Sequence, residues 1–142
     1  MIFIDVNVLV YAQRQDGLDH VKYRDWLNTY SAKHSFAVAD VILSGYLRIL
    51  THPKIFNPPT PPEFAWKSVE EIRSHPRAAL IAPGPGHWAI FRSLCEGADA
   101  KGNLIPDAYI AALAIEHGLE LVTTDRDYAR FPGLKWRHPL KD

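Results

Sequence analysis

A single cysteine, Cys95, is present among the 142 residues of the chain. No disulfide can therefore form within it, and such sparse cysteine suits a reducing compartment. No apolar run approaches the ~18 uninterrupted residues typical of a membrane span, and the N-terminus lacks the basic segment with which a signal peptide begins. The sequence predicts a cytoplasmic protein without a membrane segment.

An excess of charge is absent as well. Sixteen Lys and Arg residues balance sixteen Asp and Glu residues, so no overall positive field indicates a nucleic-acid binder, and a polyanion would have to meet a local patch. No repeat or low-complexity tract divides the chain. We expect one domain over residues 1–142, long enough to bury a core without a disulfide or metal staple.

Short apolar segments without polar alternation predict strands buried on both faces. The clearest are "IFIDV" and "LELVTTD", and "ALIA" and "LKWRH" indicate two more. Between them, apolar residues recur at helical spacing, at Tyr23–Tyr30 and again at Val38–Ile49, and "PDAYIAALAIEHG" indicates an alanine-rich helix. Alternating strands and helices predict an α/β fold with a central parallel sheet covered by helices on both sides.

Three acids are expected at one edge of this sheet. Asp5 and Asp125 each end a predicted strand, and parallel strands bring their carboxyl ends to the same edge, where ligands bind. Asp107 lies in the first turn of the alanine-rich helix, which reaches that edge if it runs back over the sheet. Two carboxylates about 4 Å apart repel by roughly 4 kcal/mol at an effective dielectric near 20. Such a cluster has to share protons or bind a cation.

The available donors favour a hard cation. The seven histidines are scattered without an H-x-x-x-H pair, and carboxylates without thiolates favour Mg²⁺ or Mn²⁺ over zinc. Such an ion can polarise a phosphoryl group and activate an attacking water, which suggests phosphodiester hydrolysis. Each acid also has a structural interpretation. Asp107 could complement the helix dipole, and Asp125 could form a turn in which Asp127 caps a short helix, "YARF", whereas a carboxylate inside an apolar strand, as at Asp5, has few such uses.

Three segments resemble the PIN domain family and, within it, the VapC toxins of bacterial toxin–antitoxin pairs. They are "FIDVNVLVYA", "YLRILTHPKIF" and "GNLIPDAYIAALAIEHGLELVTTDRDYARFPGLKW", and together they span nearly the whole chain. The resemblance implies a three-layer α/β/α sandwich and an endoribonuclease that depends on Mg²⁺ or Mn²⁺. It also implies a homodimer, inhibited by a cognate VapB-type antitoxin whose C-terminal tail blocks the active-site groove.

The resemblance also assigns roles to individual residues. Asp5, Asp107 and Asp125 match metal-binding acids of the family, which agrees with the cluster expected at the sheet edge. The family also has polar residues beside the first and last acids, and these match Asn7, Thr124 and Asp127.

The chain departs from the family at a fourth acid. The family usually has a Glu in the helix leading to "YLRILT", where this chain has Ser44 and Gly45. Asp40 lies four residues before Ser44, on the same face of a helix and about 6 Å away along its axis. We therefore advance the hypothesis that Asp40 replaces this Glu as a catalytic acid. The alternative is that Asp40 is the N-cap of "VILSGYLRIL".

Two further expectations concern function. A basic rim around the acids would meet RNA phosphates, and its candidate residues are Arg14, Arg48, Lys54, Arg126 and Arg130. The alternative for any one of them, and the commoner role of such residues, is solvated surface. The missing Glu keeps open a PIN domain that has lost turnover and only binds RNA or protein. A haloacid-dehalogenase-like phosphatase is disfavoured, because it requires D-x-D where this chain has D-V-N.

Overall fold

The computed structural model describes residues 1–141 and contains a five-stranded sheet in which all neighbouring strands run parallel. In chain order the strands are β1 (Ile2–Ile4), β2 (Phe36–Ala39), β3 (Ala78–Ile81), β4 (Glu120–Val122) and β5 (Lys135–Arg137). Their spatial order is β3-β2-β1-β4-β5. The chain therefore steps outward from β1 to β3, returns across the sheet, and continues through β4 to β5.

Six α-helices connect these strands. They are α1 (Val6–Gln13), α2 (His20–Lys33), α3 (Asp40–Leu50), α4 (Pro62–Arg73), α5 (His87–Gly97) and α6 (Leu104–Glu116). Right-handed crossovers in opposite directions place α1–α4 on one face of the sheet and α5–α6 on the other. The predicted α/β/α sandwich is thus confirmed. Within residues 1–141, no helix is both long and apolar enough to cross a membrane.

The alanine-rich helix α6 packs tightly in the core. Ala108, Ala111, Ala112 and Ala114 are each 0% exposed, because their small side chains let the helix lie close to its neighbours. Gly118, just past the helix end, adopts φ +66°, a left-handed conformation that glycine accepts without strain. This helix places Asp107, in its first turn, at a fixed position relative to the sheet.

Two predicted element boundaries are wrong. β1 ends at Ile4, and the apolar residues after Asp5 belong to α1. Val38 lies in β2 and not in a helix, because "FAVA" forms a strand before α3 begins at Asp40. A run of four apolar residues has no period that separates a buried strand from a buried helix.

The extent of the single domain, residues 1–142, stays a prediction.

The topology creates a crevice between β1 and β4. The crossovers leave these adjacent strands in opposite directions, and ligands bind at such a switch point, beyond the carboxyl ends of the strands. Asp5 directly follows β1, and residues 123–125 directly follow β4.

Candidate active site

Asp5 is the N-cap of α1, and its carboxylate is buried at the switch point. Its backbone N–H donates to the carbonyl of Val122 at 2.9 Å, which continues the pairing of β1 with β4. Its Oδ1 accepts from the Val6 N–H at 2.8 Å, and its Oδ2 accepts from the Thr123 hydroxyl at 2.7 Å. The residue is only 5% exposed. Both carboxylate oxygens are therefore held by the protein in one orientation.

Thr123 connects the two strand ends. Its hydroxyl, which donates to Asp5, also accepts from the side-chain amide of Asn7 at 3.4 Å and from the Asp125 N–H at 3.1 Å. Asn7 in turn accepts from the Thr124 N–H at 3.4 Å. Thr123 is 0% exposed and was missed in the sequence, where only its neighbour Thr124 was selected. Thr124 contributes through its backbone.

Asp125 begins a short 3-10 helix, Arg126–Arg130, after β4. Its Oδ1 accepts from the Asp127 N–H at 2.8 Å. Asp125, not Asp127, is therefore the cap of this turn, which corrects the structural interpretation of Asp127. The carboxylate of Asp127 instead forms an ion pair with Arg130 at 3.3 Å. Asp127 lies close enough to Asp107 for its charge to raise the pKa of that carboxyl.

The structure brings Asp5, Asp107 and Asp125 within electrostatic reach of one another. The pKa of Asp107 is raised from 3.8 to about 6, first by burial and then by the negative charges of Asp125 and Asp5. The pKa of Asp5 is also raised, chiefly by burial and to a smaller extent by the charge of Asp125. Tyr128, which is buried, donates its hydroxyl to Asp107 Oδ1 at 3.4 Å. Its role was missed, because a single tyrosine in a short turn resembles an ordinary core residue.

The cluster offers oxygen donors to a hard cation. Within residues 1–141, no three Asp, Glu, His or Cys side chains lie close enough together to bind one ion directly. Mg²⁺ usually keeps several waters and binds through one or two carboxylates, so a site with two direct carboxylates and water fits this arrangement. A cation would also relieve the like-charge repulsion that raises the pKa of Asp107.

The raised pKa of Asp107 predicts how the metal-free protein responds to pH. Between pH 3.8 and about 6 the native state binds more protons than the unfolded state, so stability falls as pH rises through this window. Asp107→Asn keeps an oxygen for Tyr128 and removes this loss. After discounting for partial exposure, the variant should gain about 1–2 kcal/mol above pH 6.5 and little at pH 4.

Urea unfolding in EDTA at several pH values measures this difference. Asp25→Asn is the matched control, because Asp25 is exposed and paired with Arg24. A gain for Asp107→Asn that does not change with pH would contradict the linkage.

Asp40 lies apart from the interactions that join these acids. Its carboxylate is 78% exposed and accepts from Arg73 Nε at 3.1 Å. It is also not the N-cap: Ala39 occupies that position, and Asp40 is the first residue of α3. The carboxylates that act on the pKa of Asp107 are those of Asp125, Asp5 and Asp127. Neither the catalytic role nor the capping role is supported by a contact of Asp40.

Of the two positions where the family has its Glu, packing explains Gly45 but not Ser44. Ser44 is exposed. At Gly45, an added Cβ would lie 3.1 Å from Val6 Cγ2, which is tighter than ordinary contact. Glycine therefore lets α3 approach the start of α1, directly beside Asp5.

Arg14 is used inside the chain. Its guanidinium pairs with Asp16 at 2.6 Å, donates to Thr60 Oγ1 at 3.2 Å and to the Pro58 carbonyl at 3.1 Å, and lies 4.1 Å from the centre of the Phe56 ring. Its side chain is 13% exposed. Arg14 thus fastens the loop after α3 to the end of α1. The other candidate cations, Arg48, Lys54, Arg126 and Arg130, are exposed.

These contacts predict that Arg14→Ala destabilises the protein without changing its interaction with RNA. Losing hydrogen bonds from a largely buried cation should lower the free energy of unfolding by about 1.5–3 kcal/mol. Arg24→Ala, which removes an exposed ion pair, should cost less than about 1 kcal/mol. Chemical denaturation and the salt dependence of RNA binding check the two parts. A reduced salt slope with unchanged stability would restore Arg14 as a phosphate contact.

Comparison with known protein families identifies the family of this chain. The family model of the PIN domain matches residues 2–134. The chain belongs to the PIN domain family. Among its curated relatives, ribonuclease VapC43 of Mycobacterium tuberculosis H37Rv is 41% identical over 141 residues, covering 99% of this chain and 96% of the relative. Ribonuclease VapC25 of the same strain is 39% identical over 140 residues, covering 98% and 99%.

Solved structures share this fold. VapBC2 from Rickettsia felis, bound to a DNA fragment from its promoter, matches with a TM-score of 0.73 and 20% identity, covering 97% of this chain and 98% of that one. Mycobacterium tuberculosis VapC20, a toxin that cleaves the sarcin-ricin loop, matches with a TM-score of 0.69 and 12% identity, covering 95% and 99%.

Proposed function

We propose that this PIN domain is the ribonuclease toxin of a type II toxin–antitoxin pair and that it hydrolyses phosphodiester bonds in RNA with the help of Mg²⁺ or Mn²⁺. Relatives named as ribonucleases, 41% identical over nearly the full length, support the activity. The observation that carries the proposal is the convergence of Asp5, Asp107 and Asp125 at the switch point, where burial and the charges of Asp125 and Asp5 raise the pKa of Asp107.

Asp5, Asp107 and Asp125 would hold the metal, either directly or through water. When bound, the ion would polarise the phosphoryl group and lower the pKa of a nearby water. The protein supplies orientation. Thr123 fixes the Asp5 carboxylate and the Asp125 backbone, and the Tyr128 hydroxyl holds one oxygen of Asp107.

Partners and location follow from the same proposal. Solved relatives include VapBC complexes from Rickettsia felis and Salmonella typhimurium, which supports a cognate VapB-type antitoxin for this chain. We further propose a homodimer, on family resemblance. RNA is the substrate, and the cytoplasm, which contains both RNA and the reducing conditions that suit a lone Cys95, is the proposed location.

A PIN domain without turnover is the second candidate function. Two observations favour it: Ser44 and Gly45 stand where the family has a Glu, and Asp40, which could have replaced that Glu, pairs with Arg73. Mapping RNA ends in cells after induced expression separates the two functions. The ribonuclease proposal expects new cleavage sites with the wild-type chain and none with Asp5→Asn. Growth arrest without any new RNA ends would favour the binding module.

The Arg73 ion pair predicts that Asp40 is dispensable for cleavage. Asp40→Asn should keep cleavage within about threefold of wild type and change stability by less than about 1 kcal/mol, since the pair is exposed. Initial rates on single-stranded RNA at fixed Mg²⁺ test this. A loss of a hundredfold with normal stability would instead assign Asp40 the role of the missing Glu.

A further inference from the structure

A cavity lies at the carboxyl ends of β4 and β5. Its volume is about 480 Å³, within the ~300–1,000 Å³ range of small-ligand sites. It is lined by Arg126, Ala129, Trp136, Arg137, His138 and Lys141. Arg126, which lines the cavity, directly follows Asp125 in the chain, so the cavity begins one residue from the proposed active site.

Positive charge is concentrated in this cavity. The pKa of His138 is lowered, first by burial and then by the charges of Lys141 and Arg126, which places both cations near the same ring. Arg137 is partly neutralised, because its Nε lies 2.8 Å from Glu120 Oε1. In the described part of the chain, residues 1–141, no carboxylate pairs with Arg126 or Lys141. Two cations thus face the cavity without a counterion from these residues.

His138 contributes to the cavity as a neutral ring. Its Nδ1 accepts from the Leu140 N–H at 3.1 Å, so the proton of the neutral imidazole lies on Nε2, which is 3.5 Å from the Tyr23 hydroxyl oxygen. Together with Trp136 it gives the cavity aromatic walls. Cations combined with aromatic side chains are the usual composition of sites that bind single-stranded nucleic acid, where phosphates meet charge and bases stack on rings.

We propose that this cavity binds a backbone phosphate and the adjoining base of single-stranded RNA beside the scissile bond. The inference rests on the proposed function for the identity of the polymer. Arg126 and Lys141 hold the phosphate, and Trp136 and His138 form the surface for the base. The neighbouring acids repel phosphate unless a cation is present, so these two cations offset that repulsion and set where the strand lies.

An acidic peptide would satisfy the charges but not the aromatic walls. Arg126 also lies next to Asp125 in the chain, which places an occupant of the cavity near the acids that would act on the substrate strand. These two observations favour RNA over a protein partner as the ligand of this cavity.

The test is the salt dependence of RNA binding by an Arg126→Gln, Lys141→Gln double variant of the full chain. The probe is a labelled oligouridine, titrated by fluorescence anisotropy in EDTA so that metal-dependent cleavage does not compete. Each lost phosphate contact should reduce the slope of log K against log salt by about 0.7. The matched control is Arg77→Gln, Lys135→Gln, which removes the same amount of charge. These residues lie just before β3 and at the start of β5, at the amino ends of the strands and away from the acids.

A reduced slope in the double variant with a wild-type slope in the control supports the subsite. An unchanged slope in the double variant, or an equal reduction in the control, overturns it, as does a double variant that binds RNA normally but loses binding of the antitoxin. Cleavage in Mg²⁺ is scored separately. A wild-type chain that binds RNA in this way but never cuts it would refute the proposed ribonuclease and leave the subsite intact.

Discussion

Asp5→Asn is expected to lower RNA cleavage by about a hundredfold or more while the protein stays folded. Loss of a group that only supports a metal ligand typically costs 10- to 100-fold, so loss of a ligand itself should cost at least the upper value. Asparagine can still accept from the Val6 N–H as the N-cap of α1. It gives up the hydrogen bond from Thr123, but it also removes like-charge repulsion in the metal-free state, so stability should change by less than about 1 kcal/mol.

Single-turnover cleavage at saturating Mg²⁺, with thermal unfolding measured in parallel, checks this prediction. Asp25→Asn removes one negative charge from an exposed pair and should leave both quantities unchanged. Undiminished cleavage by Asp5→Asn would remove Asp5 from the reaction.

Thr123→Val should reduce both cleavage and stability, because one hydroxyl joins Asp5, Asn7 and Asp125. Valine nearly preserves the shape but leaves buried polar groups without a partner, at a cost of about 1–3 kcal/mol. The carboxylate of Asp5 then loses its fixed orientation. Cleavage should fall by about 10- to 100-fold, as for other groups that orient metal ligands.

Thr123→Ser separates the hydroxyl from the methyl group. Serine keeps the hydrogen bonds and should restore most of the cleavage, although the missing buried methyl lowers stability by about 1 kcal/mol. If Thr123→Val cleaves like the wild type at a temperature where both are folded, Thr123 has only a structural role. Equal losses with Ser and Val would point to packing as the cause.

The fold class can be predicted from the sequence, because features that extend over many residues leave a clear pattern. Alternation of apolar strands with helical periodicity indicates a parallel sheet, and Gly118 marks the end of α6. Short elements leave no such pattern. β2 has four residues, all buried, so its strand character depends on pairing with β1 and β3, which periodicity cannot reveal.

The residues of the candidate site also differ in how clearly the sequence indicates them. Asp5 is conspicuous because a carboxylate next to an apolar strand is costly unless it has partners. Thr123 and Tyr128 leave no signal, since a threonine at a strand end and a tyrosine in a turn are common structural residues. Their importance comes from hydrogen bonds across 118 and 21 positions of the chain. Long-range contacts also explain why Arg14 was wrongly selected: it is held by Thr60 and the Pro58 carbonyl, more than 40 residues away, and these partners are not visible in the sequence.

The most direct test of a metal-dependent carboxylate nuclease is cleavage of single-stranded RNA by the purified chain after treatment with EDTA, followed by stepwise addition of Mg²⁺ or Mn²⁺. We predict no cleavage in EDTA, full recovery with either ion in the wild type, and no recovery with Asp5→Asn at any concentration of the ion. Cleavage that persists in EDTA, or that Asp5→Asn performs as well as the wild type, would contradict the account.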